Sequence, residues 1–213
     1  INILCDKLTI VRGKVKGGWK SNIHIYHRFE DFYTGIESAR LQDEEAFEEL
    51  IMSYIRTYGP VTDSDVTWWS GLNKTTVRDI LKSNANKLSL IEIADFQGQY
   101  LMLTEDLNLY RQFSTQEERI THFLPAMDPY VMGYKNRSRF MNEVFYDYVF
   151  DRFGNAAPTI VLQGEIIGVW DIDDESNLVK FFLFQQAEDE LYERIIESGI
   201  AVGRFYCERD VDI

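Results

Sequence analysis

Hydrophobic positions change their period several times along the chain, and each change marks an element. From the start to about residue 35 the reading is strand, glycine turn, strand. "KLTIVRGKVKGGWKSNIHIYHRF" alternates apolar and polar positions on both sides of Gly17-Gly18, as a hairpin does. "LQDEEAFEELIMSYIRTYG" switches to helical spacing, with Ala46, Phe47, Leu50, Ile51, Tyr54 and Ile55 on one face. Asp43, Glu44 and Glu45 suit the positive end of that helix, and Gly59-Pro60 stops it. "TDSDVTWWSGL" begins a short second helix from a cap at Thr62 or Asp63. Val66, Trp69 and Leu72 are expected to face inward, one tryptophan being core and the other packed on a neighbouring element. Asn73 caps a third helix, "KTTVRDILKSNANK", which buries Val77, Ile80 and Leu81. "LSLIEIADFQGQYLMLT" returns to strand spacing around a glycine turn.

Three helices followed by a hairpin is the winged-helix order. Beyond it, a polar helical connector runs from Glu105 to Arg119, and "NEVFYDYVFDRFG" reads as a short amphipathic helix. "APTIVLQGEIIGVWDIDDESNLVKFFLFQ" reads as three strands, with turns at Gln163-Gly164 and from Asp173 to Asn177. "AEDELYERIIESGIAVGRF" is a closing helix with acids in its first turn. The expected class is α+β: a winged helix-turn-helix domain, then a small antiparallel β-sheet or barrel domain with flanking helices. The chain opens in mid-pattern with "INILCDKLTIV" and without an initiator methionine, which suggests a piece of a longer protein.

Composition narrows the classes. With 45% hydrophobic and 14% aromatic residues in 213, the chain is globular rather than disordered. No apolar run reaches the roughly 18 residues of a membrane span, and no signal peptide is visible, so no membrane association is expected. Two cysteines, Cys5 and Cys207, form no framework, and a cytoplasmic location is the expectation. His24 and His27 in "HIYH" stand in a strand-like setting, where surface or satisfied histidines fit better than zinc ligands; no metal and no cofactor are implied.

The net charge of −13 opposes a DNA partner, because phosphate contacts need lysine and arginine. The distribution softens this: from Asp171 to Ile213 there are twelve acids and four bases. "VRGKVKGGWK", "KTTVRDILK" and "YKNRSR" are locally basic. Lys74, Arg78 and Lys82 recur at i, i+4 and i+8, on one exposed stripe of the third helix. That stripe suits a recognition helix; a solvated helix face is the plainer account. The first hairpin is likewise either a wing that touches phosphate or an exposed hairpin whose lysines guard its edge.

Catalytic signatures are absent: there is no Gly-rich phosphate loop, zinc-protease motif or nucleophile elbow. "DIDDES" lacks the spacing of a calcium loop and reads as a polar turn. Asp128 sits between Pro125 and Pro129 beside Tyr130 and Tyr134, with Arg137 and Arg139 following. Such a carboxylate either orients a ligand or arginine, or bonds to local backbone amides.

"SYIRTYGPVTDSDVTWWSGL", "HFLPAMDPYVMGYKNRS" and "PTIVLQGEIIGVW", in that order, resemble the AlkZ-like family of winged-helix DNA-binding proteins over roughly residues 10 to 185. That family includes bacterial DNA glycosylases acting on alkylated or crosslinked bases. The resemblance implies tandem winged helices and a small β-barrel around a DNA-sized channel. It makes residues 1–40 the wing and exit of an upstream winged helix, 41–116 the last winged helix and 117–213 the barrel unit. It makes Lys74, Arg78, Lys82, Arg12, Lys14, Lys16 and Lys20 candidate DNA contacts, with Arg137 and Arg139 as candidates where the units meet. Asp128 and Tyr134 become candidates for orienting or lining the channel, and double-stranded, damaged DNA the implied partner. The family's catalytic Gln-x-Gln or Gln-x-Asp stands near the N-terminus of its members. Gln97 and Gln99 have the spacing but fall in the second hairpin, so no catalytic residue is assigned and this chain alone is expected to be inactive. A non-catalytic winged-helix regulator, or an interaction module with a protein partner on the acidic C-terminal unit, are the alternatives.

Overall fold

The computed structural model describes residues 1–17, 21–36, 42–114, 120–173, 175–208 and 211–213. The chain divides into two compact units, Ile1–Glu45 and Ala46–Ile213.

The first unit opens with a helical turn, α1 (Asn2–Asp6), where strand was expected. Five residues carry too short a period to be read from hydrophobicity. It is closed by bonds from Leu8 N and Thr9 N back to Cys5 O and Leu4 O. Strands β1 (Ile10–Val15) and β2 (His24–Arg28) pair antiparallel with an irregularity between Arg12 and Val15. Gly17, at φ 95°, follows β1, while Gly18 of the expected turn lies outside the described residues; α2 (Phe29–Phe32) follows β2.

The second unit begins with three helices, α3 (Asp43–Tyr58, whose first turn belongs to the first unit), α4 (Asp63–Ser70) and α5 (Lys74–Ser83). Ile51, Tyr54 and Ile55 of α3 are at most 1% exposed, each worth roughly 2 kcal/mol of burial. Thr62 and Asp65 form a reciprocal capping box on α4, and Gly71, at φ 68°, ends it in the left-handed region that glycine tolerates. Asn73 caps α5 through Thr76 N. Strands β3 (Leu88–Ile91) and β4 (Tyr100–Leu103) form the expected hairpin. Val61, just past the Gly-Pro stop, exchanges both backbone bonds with Leu101, at 2.9 and 2.6 Å, and ties the α3–α4 corner to the hairpin.

The connector contains a 3-10 turn at Thr104–Asp106 and α6 (Leu107–Gln112), and its end, Thr115 to Arg119, lies outside the described residues. A fourth strand, β5 (Thr121–Leu124), was not anticipated; two prolines close behind it mask its alternation. After α7 (Pro129–Met132), the expected amphipathic helix is two single turns, Glu143–Phe145 and α8 (Tyr146–Val149). Strands β6 (Thr159–Leu162), β7 (Glu165–Asp173) and β8 (Leu178–Leu183) complete an antiparallel sheet of order β5-β6-β7-β8. That order is an open meander; no ladder joins β5 to β8 among the described residues. Helix α9 (Asp189–Cys207) packs on β5 and β8, and a Cβ on its Gly203 would stand 2.5 Å from the Val179 side chain. One core runs from Ile51 and Val77 in the helices to Val161 and Ile166 in the sheet. No helix among the described residues is long and apolar enough to cross a membrane.

Candidate nucleic-acid interface

Helix α5 sets the main candidate surface. Burial of Val77 fixes the helix's rotation, which leaves Lys74, Arg78 and Lys82 exposed on the flank beside it. All three line one depression of about 630 Å³ between α4, α5 and the β3–β4 hairpin. Arg78 lies 3.7 Å from its neighbour Asp79 in a solvent-exposed pair, which contributes little. Lys74 and Lys82 have no carboxylate within ion-pair distance among the described residues. Asp63, Ser64 and Thr67 of α4 form the facing wall. Sequence reasoning missed the floor: Leu88 and Leu90 of β3 and Leu101 of β4, with Leu90 60% exposed. The leucines were legible as strand positions, but which face of the hairpin meets α5 is set by tertiary packing.

In the first unit Arg12, Lys14 and Lys16 are exposed on and just after β1, and Arg12 donates to Asn2 Oδ1 at 3.3 Å. Lys20 lies outside the described residues. His24 and His27 are three apart in β2 and so leave it on opposite faces. No cluster of three or more metal-ligating side chains occurs among the described residues.

In the segment after α7, Arg137 is buried and Arg139 half-buried. Arg137 is only 9% exposed, with its guanidinium over the rings of Phe150 (4.5 Å) and Trp68 (5.2 Å) and bonded to Val131 O. Burial draws its pKa below the usual guanidinium range, partly offset by Tyr146 and Asp65. Arg139, half-buried, lies 3.6 Å over Tyr134 and donates both terminal nitrogens to Pro60 O at 3.3 Å. Tyr134 is 6% exposed and donates to Tyr58 O at 3.0 Å; Tyr54 donates to Gly133 O at 2.7 Å. Asp65, 2% exposed, accepts from Lys135 N at 2.8 Å while its other oxygen holds Thr62. Residues 131–139 are therefore a joint between the helical trio and the sheet, built by inward-facing groups.

The tryptophans belong to that joint. Neither is core: Trp68 and Trp69 are 42% and 38% exposed, one beside Arg137 and the other stacked on Tyr54 at 4.6 Å. Helix α4 is too short and too near the surface to bury either ring whole. Asp128 caps α7, accepting from Tyr130 N at 2.9 Å, the local-amide account of its position. Gln97 and Gln99 are exposed in the β3–β4 loop around Gly98. Asp173 turns the β7–β8 hairpin; the hydroxyl and amide of Ser176, then Lys180, pull its pKa down to about 2. A second depression, about 750 Å³, lies between the β3–β4 loop and the β6–β7 turn, where Arg139 is outnumbered by Glu143 and Glu165.

A helical trio with a trailing hairpin, joined through one core to an open antiparallel sheet, defines an α+β protein with a cationic depression on its helical side. The chain belongs to the AlkZ-like DNA glycosylase family, whose model matches residues 1–191. Among solved structures, Streptomyces sahachiroi DNA glycosylase AlkZ superposes with a TM-score of 0.75 at 18% identity. The match covers 96% of this chain and 54% of that one, so the chain spans about half of that structure's length. No curated protein matches the sequence.

Proposed function

We propose that this chain is a duplex-DNA-binding scaffold in which α3, α4, α5 and the β3–β4 hairpin act as a winged helix that presents α5 to the phosphate backbone. One observation carries the reading: on a chain of net charge −13, Lys74, Arg78 and Lys82 converge on a single depression instead of scattering. Arg12, Lys14 and Lys16 are assigned to the same partner through the hairpin of the first unit. Arg137 and Arg139 are assigned to the joint and not to DNA. Membership of a DNA glycosylase family extends the reading to damaged duplex, with the chain supplying grip and no catalytic residue.

The test is fluorescence anisotropy of a labelled duplex across a salt series. Replacing Lys74, Arg78 and Lys82 together by alanine should weaken binding and reduce the log–log salt slope by about 2 to 3, since each neutralised phosphate contributes about 0.9. An unchanged slope, or no duplex binding by the original chain at low salt, would overturn the reading.

A further inference from the structure

We propose that the α4–α5–hairpin depression also receives a protein ligand, an amphipathic helix with leucine-sized residues on one face and an acidic flank, in competition with DNA. Phosphate recognition uses charge and hydrogen-bond donors and has no use for a hydrocarbon floor. Here the floor is apolar: Leu88, Leu90 and Leu101 lie under the cationic rim together with Val77 and Leu81 of α5. Leu90 and Leu101 are paired directly across the hairpin, and Leu90, 60% exposed, is the floor's most accessible side chain. An exposed Leu90 beside Lys74 and Lys82, which have no ion pair among the described residues, matches helix-in-groove recognition, in which apolar anchors fill the groove and charge sets the orientation.

The spacing agrees. Lys74, Arg78 and Lys82 are one helical turn apart, about 6 Å each along α5, the same repeat that glutamates at i and i+4 present on a helix lying alongside. Asp63 on the facing α4 wall repels an acidic flank. The ligand therefore places its acids against α5 and its apolar face over Leu90. At about 630 Å³ the depression falls among clefts that bury a ligand's anchors. The competition rests on the DNA reading; the peptide site does not.

The experiment uses the full chain and a fluorescein-labelled helical peptide with a leucine face and glutamate flank, and a second peptide whose flank is lysine. Saturable binding of the glutamate peptide, loss of binding by the lysine peptide, and displacement by unlabelled duplex are expected. Leu90→Ser, at an exposed position, should weaken the glutamate peptide about fivefold or more and the duplex by a smaller factor. Lys74→Ala with Lys82→Ala should weaken both ligands. Failure of the glutamate peptide to bind, or equal binding by Leu90→Ser, overturns the site while leaving DNA binding intact. Saturable peptide binding without displacement by a duplex that does bind overturns the shared location. Absence of duplex binding with the peptide still bound overturns the DNA reading alone.

Discussion

Asp65 connects a local cap to a long-range contact. One carboxylate oxygen closes the start of α4 through Thr62, and the other receives the amide of Lys135 seventy residues away. At 2% exposure no water can replace it, so Asp65→Ala strands those donors and should cost about 3 kcal/mol in urea denaturation. Arg137 has no carboxylate within ion-pair distance among the described residues, and its charge is held by two rings and a carbonyl. Arg137→Ala should lower stability by about 2 kcal/mol or more while the folded variant keeps its DNA salt slope; a reduced slope would return Arg137 to the interface. Burial, then nearby Asp65, raises the pKa of Tyr54, and burial likewise raises Tyr130 and Tyr134, with Arg139 opposing in all three. Their folded pKa values stand above the unfolded value near 10, so the neutral forms stabilise the fold fully below that pH. Urea midpoints should fall as pH rises above about 10, and less steeply in Tyr54→Phe with Tyr134→Phe.

Helix α5 and its hairpin were legible because each satisfies local rules. Asn73 caps, Val77 marks the buried side, and the 3.6-residue repeat places the three cations together. The β6–β7 turn was equally readable, as Gln163 and Gly164 both take positive φ, 50° and 87°. Glutamine is the strained member of that pair. Gln163→Asn should therefore stabilise the sheet by roughly 0.5 kcal/mol, measured as a rise in Tm. Elements of one turn escaped, α1 and α2 among them, because a single turn presents no repeat. Strand β5 escaped because its place is decided by β6, whose paired residues stand 35 to 41 positions later (Leu124↔Thr159, Thr121↔Leu162).

Across the whole molecule, charge is segregated: the acids concentrate from Asp171 onward, while three cations of α5 share one depression. On the proposed DNA reading, local screening would let an anionic chain hold a polyanion on one face, and duplex affinity is expected to fall steeply as salt rises. The order of elements and the α5 stripe followed from the linear chain, because caps, stops and period act between near neighbours. The AlkZ-like resemblance, carried by three separated motifs, agrees with the family match over residues 1–191. What the chain alone could not assign was direction. "YKNRSR" and the α5 stripe are both basic strings, yet Arg137 points into a core and Lys74 into solvent. Composition gives the same charge to both; the difference comes from partners distant in sequence, Asp65, Trp68 and Phe150, that only folding brings within reach.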